Sequence, residues 1–196
     1  MNMNTQSLNQ SPEQSQVQEN SLTSWEIDPA HSSANFSIRH MMIAKVNGGF
    51  TRISGKLRLN PKDLSKSSIE ALIDSASIDT REQKRDEHLR SADFFDVQKY
   101  PTITFNSKRV EKSSGEIRVT GDLTLHGVTK EIVLTVEGMD SEMKDPWGNV
   151  KIGASATTRI KRKDFGLSWN AALEAGGMLV GDDVTITLDI QFVKKA

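Results

Sequence analysis

The sequence predicts an all-β domain of about eight antiparallel strands, whose inner faces are hidden in either a closed barrel or a two-sheet sandwich. Three observations predict it. Apolar residues recur at every second position through most of the chain after Trp25, the pattern of strands with one buried and one solvated face. Clusters of Gly, Pro, Asn, Asp and Ser punctuate those runs, which is the chemistry of hairpin turns. At 196 residues the chain has length for one well-buried domain and a tail, and is short for two full domains.

The first segment, residues 1–23, is rich in Gln, Asn and Ser and nearly free of large apolar side chains. It cannot bury enough surface to offset its ordering entropy, so it reads as a disordered leader and the domain as residues 24–196. The leader has neither the basic nor the apolar region of a secretory signal, and no stretch of the chain approaches ~18 consecutive apolar residues. A cytoplasmic location without an integral membrane segment is the expectation.

Strand by strand, Ala34, Phe36 and Ile38 share one face, and His40 continues their inward register. "HMMIAKVNGGF" breaks that strand with Met41, Met42 and Ile43, a pliable apolar stretch. Ile53, Gly55, Leu57 and Leu59 follow, then the turn "NPKDLSK", then Ile69, Ala71 and Ile73. "IDTREQKRDEHLR" changes period. Asp79 or Thr80 is placed as an N-cap, Glu82 or Gln83 as its capping-box partner, and good helix formers come after. This short helix offers only Leu89 and the stem of His88 to a core. It is followed by Phe94 and Phe95, and Tyr100 with Pro101 forces extended backbone before the next strand. The insert is expected to cap one end of a barrel with aromatic rings. Ile103 with Phe105, then Ile117, Val119, Leu123 and Leu125, then Ile132, Leu134 and Val136 alternate with polar residues across the turns "EKSSGE" and "HGVTK". After "DSEMKDPWGN", the inward positions are Val150, Ile152, Ala154, Ala156 and Thr158. The last strand carries Val184, Ile186, Leu188, Ile190 and Phe192.

Several inward positions are small: Ala34, Gly55, Ala71, Ser107, Gly121, Ala154 and Ala156. Either large side chains from facing strands fill that volume, or a barrel is hollow and admits a ligand. The low aromatic content, 3 Trp, 7 Phe and 1 Tyr, favours a cavity.

Composition limits the chemistry. Lys and Arg number 25 against 26 Asp and Glu, so no basic footprint for nucleic acid is present. With no cysteine there is no thiolate ligand or thiol nucleophile. His31, His40, His88 and His126 show no i, i+4 pair and no HExxH spacing, so no metal is expected. His31 and His126 sit where turn hydrogen bonding is the default, whereas His40 is placed to meet a ligand head group at a barrel mouth. Ser91, His88 and Asp86 are close in sequence, but helix neighbours do not converge as a triad and no GxSxG elbow exists. The letters "DFG" in "RKDFGLSW" stand without the other kinase motifs. There Gly166 permits a turn, Arg162 is placed to pair with Asp164, and Phe165 and Trp169 are placed to line the wall or mouth. "AALEAGGMLVGDD" reads as a flexible apolar loop, either a gate or a mobile turn beside ordinary core.

"IDPAHSSANFSIRHMM", "RDEHLRSADFFDVQKYPTITF", "GDLTLHGVTKEIVL" and "IKRKDFGLSW", in this order over most of the chain after the leader, resemble the YceI-like, polyisoprenoid-binding family. The resemblance implies a lipocalin-like eight-stranded antiparallel β-barrel with a short helical insert. It also implies a lumen holding a long apolar lipid: an isoprenoid quinone, a polyprenyl lipid or a fatty amide. Many relatives carry a secretory signal and act in the periplasm, unlike the polar leader here. Hydrophobic transfer, at ~0.8 kcal/mol per methylene, can hold such a chain without directional contacts. A ten-residue strand spans roughly 33 Å, which suits a linear lipid.

The expected activity is therefore non-catalytic lipid binding, for transport or storage, with no catalytic residue and no cofactor. Parity and motif together nominate Phe36, Ile38, His40, Met42, Phe50, Phe95, Phe105, Leu125, Leu134, Ala156, Phe165 and Met178 as lining residues. The alternatives are an enzyme acting on a lipid and a protein-interaction module with a packed barrel core. A closed barrel has no sheet edge to dictate pairing between copies, so the sequence fixes no oligomeric state.

Overall fold

The computed structural model describes residues 22–139, 141–174 and 176–195. Within them one continuous sheet holds β1 (Thr23–Ile27), β2 (Ser33–His40), β3 (Ala44–Phe50), β4 (Ile53–Leu59), β5 (Ser68–Asp74), β6 (Ile78–Asp79), β7 (Thr102–Ser113), β8 (Glu116–Leu125), β9 (Val128–Gly138), β10 (Met143–Lys144), β11 (Val150–Lys161) and β12 (Val180–Lys194). Among the described residues a single α-helix, α1 (Gln83–Arg90), lies between β6 and β7. No helix among the described residues is long and apolar enough to cross a membrane.

The twelve strands reduce to an eight-stranded up-and-down barrel, because three staves are kinked and each is counted twice, and the two-residue β10 pairs with β11 just past the end of β9 and adds no stave. β1 and β2 both run antiparallel to β12, end to end, and β3 with β4 and β5 with β6 continue one another in the same way. The ring is then β1/β2, β3/β4, β5/β6, β7, β8, β9, β11 and β12, and the β11–β12 and β12–β2 pairings close it. The sandwich alternative is thereby excluded.

Each kink has a local cause. Asp28 starts a 3₁₀ turn at Pro29–His31 by accepting the Ala30 N–H, and Pro29 supplies the fixed φ of a first helical position. Asp74 does the same for Ser75–Ser77 through Ala76 N–H. Between β3 and β4 the backbone N–H groups of Thr51 and Arg52 turn to Ser77, bonding its carbonyl and hydroxyl.

The alternation expected from sequence holds: Ile117, Val119, Leu123 and Leu125 on β8, and Ile152, Ala156 and Ile160 on β11, are all buried. On β7 the register shifts between Ser107 and Arg109, so that Val110 rather than residue 109 turns inward. The end of the barrel where β1 begins and β12 ends is packed by Trp25, Leu57, Leu59, Ile152 and Phe192. Trp25 is fully buried, and its indole N–H donates to the Thr23 hydroxyl at 2.8 Å. Thr23, read from sequence as the last leader residue, is therefore the first residue of β1. Residues 1–21 lie outside the described part of the chain.

Asp28 also ties the first kink to two further staves. Its carboxylate lies 2.8 Å from His31 Nδ1 and accepts from Lys151 Nζ at 3.2 Å and Gln191 Nε2 at 3.0 Å. Burial pushes its pKa up, but the hydrogen bonds from His31, Lys151, Ala30 and Gln191 prevail and bring it from 3.8 down to about 2. A carboxyl with a depressed folded pKa stabilises the fold above its unfolded value, and that stability is lost as pH falls through the folded value. Thermal melts of wild type should accordingly steepen their decline between pH 4 and pH 2. Asp28→Asn should be less stable at neutral pH and show a flatter decline in that window. Parallel curves for the two proteins would remove Asp28 from the account.

Candidate functional site

Above the packed floor the barrel is hollow. A cavity of about 470 Å³ sits in the range usual for ligand sites, and the inward parity of nearly every stave forms its wall. Phe36 and Ile38 come from β2, Val46 and Phe50 from β3, and Ile69, Ala71 and Ile73 from β5. Ile103 and Phe105 come from β7, Leu123 and Leu125 from β8, and Ile132 and Leu134 from β9. Thr158 and Ile160 come from β11, and Val184, Ile186, Leu188 and Ile190 from β12. Ile27, Ala34 and Ile53 lie toward the floor.

The other end is roofed by the helical insert and the segment between β11 and β12. Helix α1 starts two to three residues later than sequence suggests. Glu82 is its cap, accepting the N–H groups of Lys84 and Arg85, and Asp79 and Thr80 are not. Thr80 is instead buried and held by Asp86, which accepts both its N–H and its hydroxyl, while Arg85 donates to the Thr80 hydroxyl and carbonyl. Arg90 reaches the carbonyls of Ala76 and Ile78. Polar clamps, rather than an apolar stripe, thus fix the helix over β5 and β6.

The chain beyond the helix delivers the rings. Phe95 meets Phe50 edge-on at 5.7 Å, and Phe94 packs at 5.1 Å against both His88 and Trp169. Tyr100 lies on His126 at 4.6 Å, and a Cβ at Gly127 would come within 2.4 Å of the Tyr100 ring, so this turn requires glycine.

Arg162 anchors the roof. It is only 3% exposed, lines the cavity, and donates to the carbonyls of Gly181, Leu167 and Trp169. Burial pulls its pKa below the ordinary arginine value, opposed by the Asp182 carboxylate. The pairing with Asp164 expected from sequence is not formed. The 3₁₀ turn Arg162–Phe165 directs the guanidinium into the loop, and Gly166 ends that turn with φ 77°.

Eight of the nominated residues, Phe36, Ile38, His40, Phe50, Phe95, Phe105, Leu125 and Leu134, border the cavity. Met42, Ala156, Phe165 and Met178 do not. Met42 and Met178 project from loops, 67% and 45% exposed. Ala156 is covered by packing in the core beside its cross-strand neighbours Val136 and Leu188. Phe165 sits on the turn after β11 and is buried in the core, 2% exposed. The nomination missed Ile73, Val184, Ile186 and Leu188, although their parity had been read as inward. It also missed Lys84 and Arg85, which no apolar period could reveal.

The wall is apolar, with few polar atoms. Every ionisable residue bordering the cavity is basic: Arg39, His40, Lys84, Arg85, His88 and Arg162. His88 Nε2 lies 2.9 Å from the Asp93 carboxylate, and His126 Nδ1 lies 3.2 Å from the Phe165 carbonyl. Among the described residues no three His, Cys, Asp or Glu side chains gather in a metal-holding arrangement. The geometry offers a long apolar side chain or tail a dry wall on all sides, closed at the floor and rimmed by cations at the roof.

Comparison with known proteins gives the same architecture. A UPF0312 protein of Vibrio cholerae is 42% identical over 139 residues, 70% of this chain and 73% of its own length. The crystal structure of the Campylobacter jejuni YCEI protein superposes with a TM-score of 0.68 at 33% identity, covering 81% of this chain and 91% of that one. A polyisoprenoid binding domain from Saccharophagus degradans shares the fold, with a TM-score of 0.64 at 18% identity over 88% of this chain and 99% of its own. The model of the YceI-like domain matches residues 25–192, and with the closed eight-stave barrel and its helical insert in place, the chain belongs to the YceI-like family.

Proposed function

We propose that the barrel binds a long-chain isoprenoid or related lipid, such as a polyprenyl quinone, in its lumen, non-covalently and without turnover. The observation that carries this reading is the apolar cavity of about 470 Å³ enclosed by the staves. An interior of this kind is stabilised by any chain that removes its own apolar surface from water, at about 25 cal/mol per Å². Packed side chains fill the Trp25 floor and the region around Ala156 and Val136, and the space left between the staves favours lipid over the alternative of a packed interior. The shared fold with a polyisoprenoid binding domain supports an isoprenoid over a compact metabolite.

Mass spectrometry of an organic extract from the purified protein tests the reading. One predominant lipid near one equivalent per chain is expected, unchanged in structure after incubation with the protein. An extract without lipid, from protein that also takes up no polyprenyl quinone after delipidation, would refute it. Conversion of the lipid to a new species would favour the enzyme.

A further inference from the structure

The hairpin between β2 and β3 is built against local preference in three ways. Met41 and Met42 both have positive φ, 51° and 62°, and Ile43 N–H bonds the His40 carbonyl at 3.2 Å. This is the geometry of a type I′ turn, whose central positions ordinarily take Asn and Gly. The tip is also apolar and exposed: Met41 is 40%, Met42 67% and Ile43 80% accessible. Just below it Arg39 stands directly across from Lys45, a like-charge pair that destabilises a hairpin. Neither forms a salt bridge with a described residue. No Asp or Glu occurs between residues 29 and 62.

The position of this tip gives those costs a use. It stands at the roofed end of the barrel, since Arg39 and His40 border the cavity and Met41 N–H bonds the Leu179 carbonyl at 2.7 Å. That bond joins the tip to the loop carrying Met178, itself 45% exposed. Lys84 and Arg85 stand on the same rim. The acidic residues of α1 are engaged locally, Glu82 as cap, Asp86 on Thr80 and Glu87 with Gln83. Exposed apolar side chains flanked by unpaired cations match the interface of an anionic bilayer, which buries the first and attracts the second.

We propose that the tip Met41–Ile43, with Met178 beside it, is a docking lip that seats the mouth of the barrel on an anionic membrane surface. An apolar cargo then passes between bilayer and lumen without crossing water. The passage of cargo rests on the lipid-binding reading above; the docking does not.

Flotation of the full chain with vesicles separates the two. With phosphatidylcholine vesicles containing 30% phosphatidylglycerol, the protein should float at low salt. It should bind pure phosphatidylcholine at least tenfold more weakly, because the cations lose their partner. The double variant Met42→Ser, Ile43→Ser should lose tenfold or more in partitioning, and Lys45→Glu about fivefold. All these side chains are exposed and outside the cavity wall, so the double variant should keep the wild-type melting temperature, and Lys45→Glu, which sets an opposite charge across from Arg39, should match or slightly exceed it. Both should also bind a fluorescent polyene fatty acid in vesicle-free solution as wild type does. Absence of flotation, equal flotation on both vesicle types, or wild-type flotation by both variants would overturn the proposal. So would variants that change only self-association in sedimentation, which would assign the tip to a second copy of the chain. Wild type that floats but takes up no polyene lipid would uphold docking while refuting the lumen reading and the passage of cargo.

Discussion

Arg162→Met should lower stability by about 3–5 kcal/mol, the scale of leaving several buried or half-buried carbonyls without a donor, and the melting temperature by roughly 10 °C or more. Methionine keeps most of the stem but none of the donors, so the carbonyls of Leu167, Trp169 and Gly181 lose their partners. Each buried polar group left unsatisfied costs about 1–3 kcal/mol. Those three carbonyls belong to the segment between β11 and β12 that roofs the cavity and to the start of β12. The loss should therefore loosen Trp169 from His88 and Phe94 before the staves melt. Near-UV circular dichroism should change at temperatures where the far-UV signal is still intact. Arg162→Lys should recover only part of the stability, since one ammonium cannot span carbonyls that a planar fork reaches. A cost below about 1 kcal/mol for Arg162→Met would mean that water replaces the guanidinium and that the roof does not depend on it.

The role of Arg162 also shows where sequence reading stops. Its neighbour Asp164 offered an obvious ionic partner, and nothing in the letters reveals that a 3₁₀ turn aims the guanidinium at backbone carbonyls instead. The staves were legible because a period of two survives any barrel curvature: β8 buries Ile117, Val119, Leu123 and Leu125, and β11 and β12 keep the residues their alternation nominates buried or half-buried. Kinks and bulges break that period for backbone reasons. The extra residue between Ser107 and Arg109 moved Val110 inward, and the 3₁₀ turns at Pro29 and Ser75 interrupt the alternation, so that the short strands β1 and β6 on their far sides were not read as strands. The aromatic cap was legible in "ADFFDVQKYP", but the helix start was not, because Asp79, Thr80 and Glu82 all have capping chemistry and only packing chooses among them. The cavity wall was legible as a set of inward positions and not as a depth. Parity assigns a side chain to the interior, and only the opposing side chains decide whether it faces space or another residue.

Two alanines turn that distinction into a measurement. Ala71 and Ala156 are both small, both inward and both mid-strand, and sequence alone nominated Ala156 as the lumen residue. The structure separates them: Ala71 borders the cavity, whereas Ala156 does not and is 8% exposed in the core between Val136 and Leu188. At Ala156 an indole has no room, so Ala156→Trp should overpack the wall at a cost of about 1–3 kcal/mol or more, while the fraction that folds still carries lipid. At Ala71 the indole can project into space that a lipid chain would occupy. Ala71→Trp should therefore fold and come through purification with its lipid content reduced to a small fraction of wild type. Its stability should match that of delipidated wild type rather than loaded wild type, because a ligand bound only by the folded state raises stability by mass action. The reading chemical, lipid per chain in an organic extract, and the reading physical, the melting temperature, then move in opposite patterns for the two variants. If Ala71→Trp unfolds as readily as Ala156→Trp, the barrel has no usable space at Ala71. If it folds with a full complement of lipid, the cargo does not run past β5, and the cavity between β5 and β7 is not its path.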